Sequence, residues 1–127
     1  MRITRIYADE HGGSHFSDVE IPMSTARLFP QLPPLQICAF RAQGRINLFT
    51  TPAELRVFDF HTAPERQFAV GLSGIVEYET SDGQVRQLPP GSIALVEDTW
   101  GHGHITRFAE GQQLFLFIPI PDDLVAA

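Results

Sequence analysis

At 127 residues, with 43% hydrophobic side chains and ten phenylalanines, the chain suits one domain around a packed core. All nine basic residues are arginines, set against fifteen acidic ones, and a formal charge of -6 without a basic cluster argues against nucleic acid and anionic membranes as partners. Cys38 is the single cysteine, which excludes an intrachain disulfide and a thiolate metal cluster; beside Ile37, Ala39 and Phe40 it reads as a small buried hydrophobe.

The opening stretch, Met1 to Glu10, lacks the continuous apolar run of a signal peptide. No segment approaches the roughly 18 apolar residues that span a bilayer, so a cytoplasmic protein is expected. Residues 1–8 read as a strand and residues 9–18 as a polar loop carrying His11-Gly12-Gly13-Ser14-His15. The stretch from Phe29 to Leu35 contains three prolines, which lack donors and fix φ, so an extended arm over a neighbouring surface is expected there. From there strand follows strand: 36–42, 45–50, 55–61, 67–72, 75–80, 84–88, 92–97, 103–108 and 113–120. Ser81-Asp82-Gly83 is a short hairpin turn, Pro89-Pro90-Gly91 separates two strands, and Glu110-Gly111 makes another turn. Many short strands with turn signals between them imply a sandwich or closed barrel: a single domain over 1–127, with 1–35 as strand and arm and 36–120 as barrel.

Alternation along the strands assigns faces. On 55–61 it places Leu55, Val57, Asp59 and His61 together, opposed to Arg56, Phe58 and Phe60. On 67–72, Gln67, Ala69 and Gly71 oppose Phe68, Val70 and Leu72; on 102–108, His102, His104, Thr106 and Phe108 share a face. If His61, Gln67 and His104 point inward, the small neighbours Ala69 and Gly71 leave room for a small-molecule ligand. The apolar patch Phe58, Phe60, Phe68, Val70 and Leu72 then needs cover, from the N-terminal arm or from a homodimer.

These residues resemble the cupin superfamily, whose first motif reads G-x5-H-x-H-x3,4-E-x6-G and whose second reads G-x5-P-x-G-x2-H-x3-N. His61 takes the first histidine position, Ala63 the second, Gln67 the glutamate position, and Gly74 follows at the required spacing. Gly91 opens the second motif; His102 fits its histidine by strict count, and His104 fits with two extra loop residues. Leu55, Glu97, Thr99 and Thr106 replace the remaining G, P, G and N. Ser14-His15-Phe16, Asp59-Phe60-His61 and the run Glu97-Asp98-Thr99-Trp100-Gly101-His102-Gly103-His104 look like a group of small single-domain, RmlC-like cupins largely without assigned activity. The resemblance implies an all-β double-stranded β-helix, or jelly-roll, barrel.

A typical metal-binding cupin holds a divalent ion with three histidines and a glutamate. Ala63 cannot coordinate, and Gln67 offers only a neutral carbonyl oxygen. Two alternatives follow. In the first, a divalent metal (iron, manganese, zinc or nickel) is held by His61, His102, His104 and Gln67, or by His61, His104 and Asp59 as a 2-His-1-carboxylate site. In the second no metal binds, and Asp59 and His61 form a catalytic acid/base pair assisted by His104. Around this core, Trp100 is expected to wall the pocket and His15 to cap it if the N-terminal arm folds over the mouth. His11 reads as solvent-exposed, Glu97-Asp98 as a solvated acidic pair, and Arg66 as a surface or interface ion-pair partner. The function expected is an enzyme acting on a small polar molecule, a sugar or organic acid. The alternative is a non-catalytic binding or sensing module; an acireductone- or cysteine-dioxygenase-like oxygenase is weakened by Ala63.

Overall fold

The computed structural model describes residues 1–52, 59–108 and 113–124. Within them the chain is all β, without a helix, and no helix is long and apolar enough to cross a membrane. β1 (Arg2–Ala8) pairs antiparallel with β2 (Ser14–Glu20), from Arg2 opposite Glu20 to Ala8 opposite Ser14. β2 occupies the second half of the expected polar loop. Its sequence, Ser14-His15-Phe16-Ser17-Asp18-Val19-Glu20, is polar because it forms the edge of its sheet, where charges hinder further strand pairing. Asp18 turns that edge to use, accepting from Arg2 and Arg86.

The hairpin joins the rest of the fold through β1, which runs parallel to β9 (Ile93–Val96). β9 pairs with β6 (Gln67–Gly71), β6 with β11 (Leu114–Pro119), and β11 with β5 (Asn47–Thr50), all antiparallel. The result is a six-stranded sheet ordered β2-β1-β9-β6-β11-β5. A second sheet contains β10 (His104–Phe108), β7 (Val76–Thr80) and β8 (Val85–Leu88) in that order. The turn between β7 and β8 is the expected one at Ser81-Asp82-Gly83, with Gly83 N donating to Thr80 O at 3.0 Å. Described strand pairing does not close the two sheets into a barrel.

The sheets face each other across one apolar layer. Ile6, Ala69, Ala94, Val96 and Phe115 from the large sheet pack with Val76, Tyr78 and Phe108 from the small one. Those residues recur every second position on their strands, as period-two alternation requires. On β6 the assignment holds in detail: Ala69 joins this layer, while Phe68 and partly buried Val70 turn to the opposite side. That opposite side carries a second cluster, in which Ile3, Ile21, Phe68, Leu95 and Ile120 are packed by Met23, Cys38 and Phe40. The N-terminal third of the chain therefore covers the apolar patch around Phe68, and half-buried Cys38 is part of that cover.

The Pro-rich stretch is not an extended arm. β3 (Ser24–Ala26) and β4 (Leu35–Ile37) form a short two-stranded sheet, and a turn between them is closed by Leu32 N donating to Phe29 O at 3.1 Å and by Arg27 donating to Leu32 O at 2.6 Å. Most of the expected 55–61 strand and the Glu110-Gly111 turn lie outside the described residues. Of that strand, Asp59 and Phe60 are irregular, and His61 makes an isolated bridge to His104.

Candidate functional site

At one end of the layer between the sheets, apolar packing gives way to an inner chamber of about 110 Å³. His61, Gln67, Tyr78, His104 and Thr106 supply its polar groups, against a wall that includes Ala63, Ala69, Phe115 and Phe117. Gln67 and Ala69 reach it because β6 presents alternate residues inward, and His104, Thr106 and Phe108 reach it by the same rule on β10. A second chamber of about 520 Å³ shares His61, Phe49, Thr106, Phe108 and Phe117 with the first. It adds Thr50, Thr51, Pro52, Asp59 and Phe60, and opens outward. The two are successive parts of one pocket.

Two histidines meet where the chambers join. Backbone bonds lock them together: His61 N donates to His104 O at 3.0 Å and His104 N to His61 O at 2.9 Å. Their rings lie 4.7 Å apart, centroid to centroid, at 54°. His104 is buried, at 4% exposure, whereas His61 is exposed at the rim. His104 Nδ1 lies 2.6 Å from Asp98 Oδ2, and Asp98 is fully buried. A carboxylate accepts, so Nδ1 carries a proton, and in the uncharged tautomer that this selects, the lone pair of His104 lies on Nε2. His61 Nδ1 donates to the Asp59 backbone carbonyl at 3.0 Å, which fixes the same tautomer.

Asp98 was not expected here. The Glu97-Asp98 pair is not solvated: Glu97 accepts from Arg5 and, at 2.5 Å, from Arg66, while Asp98 turns inward to His104. Arg66 is thus an ion-pair partner, as expected, but within the chain and largely buried. A signal for Asp98 was present, since Ala94, Val96 and Asp98 keep the two-residue period of inward positions beyond the end of β9. Tyr78, also unforeseen, lies inward with Val76 and Thr80 on β7, its ring 5.8 Å from that of His104. Burial, reinforced by the charge on Asp98, raises its pKa and holds the hydroxyl in its proton-bearing form.

Other expected site residues lie elsewhere. Asp59 borders the outer chamber, and it is its backbone carbonyl that meets His61 Nδ1, so the anticipated side-chain pair is replaced by His104 and Asp98. His102 does not share a face with His104. Gly103, at φ 76°, breaks the alternation between them, and His102 borders a separate surface cavity with Asp9, His15, Ser81 and Asp82. Trp100 is 52% exposed and borders neither chamber; it packs on the turn at Gly12. His11 is exposed, as expected.

Among the described residues, no three His, Cys, Asp or Glu side chains converge as a metal group. The donors around the inner chamber are two imidazoles and the Gln67 amide, with the Ala63 methyl in place of a further ligand. Among the described residues that set lacks the third nitrogen and the carboxylate of the typical cupin centre, and does not fit a resident divalent ion.

His15 does not cap this pocket. It is clamped between two carboxylates, with Nε2 2.6 Å from Asp9 Oδ2 and Nδ1 3.0 Å from Asp82 Oδ2. The clamp ties the β1–β2 hairpin to the β7–β8 turn, beside reciprocal 2.7 Å bonds between Ser14 and Ser81. The hydrogen bond to Asp9 raises the His15 pKa above its usual 6.5, and the bond from His15 lowers Asp9 from 3.8 to about 2. A raised histidine pKa contributes stability that is complete below 6.5 and lost as pH rises through the folded-state value. A depressed aspartate contributes above 3.8 and is lost as pH falls toward about 2. The Tm difference between wild type and His15→Ala should therefore be greatest between 3.8 and 6.5 and shrink on both sides. A difference that stays the same below 3.8, between 3.8 and 6.5 and well above 6.5 would remove the clamp from the account.

No family model matches this chain, and no curated protein is significantly similar to it in sequence.

Proposed function

We propose that this chain is a cupin-like small-molecule protein whose pocket moves a proton on a bound ligand between His61 and His104. The observation that carries the reading is the buried Asp98–His104 pair, 2.6 Å from oxygen to nitrogen, with the His61 ring 4.7 Å away at the mouth of the inner chamber. The pair suits a transfer in which the imidazole that is neutral accepts a proton from a ligand carbon at Nε2. The other, carrying a proton taken from water, donates it to the ligand, and exchange with water then resets both. Asp98 orients His104 and stabilises the imidazolium that forms, and the Tyr78 hydroxyl is a neutral donor available to a developing oxyanion. Such a sequence serves an isomerase, an epimerase or a lyase. The cupin reading itself draws support from two facing sheets, from the inward His61, Gln67 and His104, and from the Gly74 and Gly91 spacing.

The test needs no knowledge of the natural substrate. In D2O, the protein should catalyse exchange of protons next to the carbonyl in at least one of a panel of ketones and aldehydes, followed by NMR. His61→Ala and His104→Ala should each reduce that exchange by about 100-fold or more, the usual weight of a general acid–base group. EDTA should leave the rate unchanged; a rate lost to EDTA and restored by iron, manganese, zinc or nickel would return the site to metal chemistry. The largely apolar outer chamber favours a second reading, a non-catalytic binding module. Ligand binding without exchange would select it.

A further inference from the structure

Resting on the reading of this pocket as a ligand site, we infer that its ligand is an amphipathic small molecule with an apolar ring body and a small uncharged hydrogen-bonding head. This departs from the sugar or organic acid that the sequence suggested. Three observations carry it.

The first is the division of space. An inner chamber of about 110 Å³ is smaller than the roughly 150 Å³ cavity that accommodates one benzene ring, so it takes a head of a few heavy atoms. The outer chamber, about 520 Å³, falls within the usual range for small-molecule sites and has room for a fused ring pair. The second is the distribution of polarity. Gln67 and His104 lie only at the inner end and His61 at the junction. Phe49, Phe108 and Phe117 wall both chambers, and Phe60 joins them in the outer one, where Thr50, Thr51 and Asp59 are the added polar groups. Aromatic walls offer ring stacking as well as apolar burial. They offer few partners to the hydroxyls of a sugar, each of which costs free energy if buried without a hydrogen bond.

The third is charge. Among the described residues, no arginine borders either chamber. Arg5 and Arg66 are committed to Glu97, Arg2 and Arg86 to Asp18, and Arg107 to Glu77 and Glu79. Among the described residues, the charged groups near the pocket are carboxylates, Asp59 on the outer rim and Asp98 behind His104. Among the described residues, a carboxylate or phosphate head would meet these carboxylates and no cation. A hydroxyl or ketone head meets lone pairs and donors that it can satisfy.

The experiment compares three probes: 2-naphthol, 2-naphthoate and glucose. They present an apolar body with a neutral head, the same body with an anionic head, and a neutral polar molecule with no apolar body. Affinities come from calorimetry, and contact with the site from the side-chain NMR signals of His61 and His104. 2-Naphthol is expected to bind at least about tenfold more tightly than either other probe, and to shift both histidine signals. Phe117→Ala and Phe49→Ala should each weaken it by about tenfold through lost ring contact. If one of these variants fails to fold, the other and the wild-type ranking still decide. Equal or tighter binding of 2-naphthoate or glucose with shifts at His61 and His104 would overturn the ligand class and leave the pocket reading intact. Failure of all three to shift those signals would also overturn the ligand class. The pocket reading is judged separately, by the exchange experiment in D2O.

Discussion

Replacing Asp98 with asparagine is expected to leave the protein folded and to slow proton exchange in its pocket by about 10²- to 10⁴-fold, the span attributed to general acid–base groups. The carboxylate that accepts from His104 Nδ1 at 2.6 Å keeps the imidazole lone pair on Nε2. Asparagine has the same shape, but its NH2 group donates. Turned toward the ring, it requires the lone pair on Nδ1 and sends the proton to Nε2, the wrong tautomer for a base. Stability responds differently. Asp98 is fully buried and its Oδ1 has no hydrogen-bond partner among the described residues, so neutralising it relieves a desolvation cost while weakening one bond. These effects oppose each other, and the net change should stay within about 1 kcal/mol.

Asp98→Ala changes the balance. It strands the buried His104 N–H and opens a cavity, for a combined loss of about 2–4 kcal/mol. Urea titrations report the stability of both variants, and the side-chain nitrogen shifts of His104 report its tautomer. Wild-type exchange in Asp98→Asn with a displaced tautomer would show that Asp98 does not act through His104.

The strands were legible wherever burial is one-sided. On β6 and β10 the alternation of Gln67, Ala69, His104, Thr106 and Phe108 with outward residues predicts the inner chamber, because a period of two fixes which side chains face the partner sheet. The same rule, carried past Val96, reaches Asp98, but the adjacent Glu97 made the pair look like solvated charge. What made Glu97 different is its pairing with Arg5 and Arg66, and the contact with Arg5 depends on the parallel β1–β9 alignment that puts Arg5 opposite Leu95. No local pattern announces a parallel pairing between strands so distant in sequence. β2 was hidden for the opposite reason: its polarity is a property of an edge strand, and polarity reads as loop. His102 and His104 were assigned to one face on the premise of a continuous strand. The turn at Gly103 invalidates that premise and separates the two residues into different cavities.

That turn predicts the other large effect. Gly103→Ala is expected to cost about 2–5 kcal/mol, a large share of the roughly 5–15 kcal/mol by which a domain of ordinary stability stays folded. At φ 76° an alanine pays about 1–2 kcal/mol for left-handed backbone alone. Its Cβ would also lie 2.1 Å from the His61 carbonyl oxygen, 2.2 Å from the carbonyl carbon and 2.6 Å from Thr62 N. These are backbone atoms, held by the paired His61–His104 hydrogen bonds on one side and by Ser14 Oγ donating to Gly103 O at 2.7 Å on the other. The chain has little freedom to yield, so overpacking adds about 1–3 kcal/mol. Gly83→Ala is the control: its φ is 88°, and nothing lies within 4 Å of the added Cβ. The difference between the two variants in urea unfolding isolates the steric part, and should be about 1–3 kcal/mol. Relief of the clash would part His61 from His104, so any folded Gly103→Ala protein should also lose proton exchange. Equal stability of the two variants, or a Gly103→Ala protein with wild-type exchange, would mean that close contact at Gly103 does not hold the histidines together.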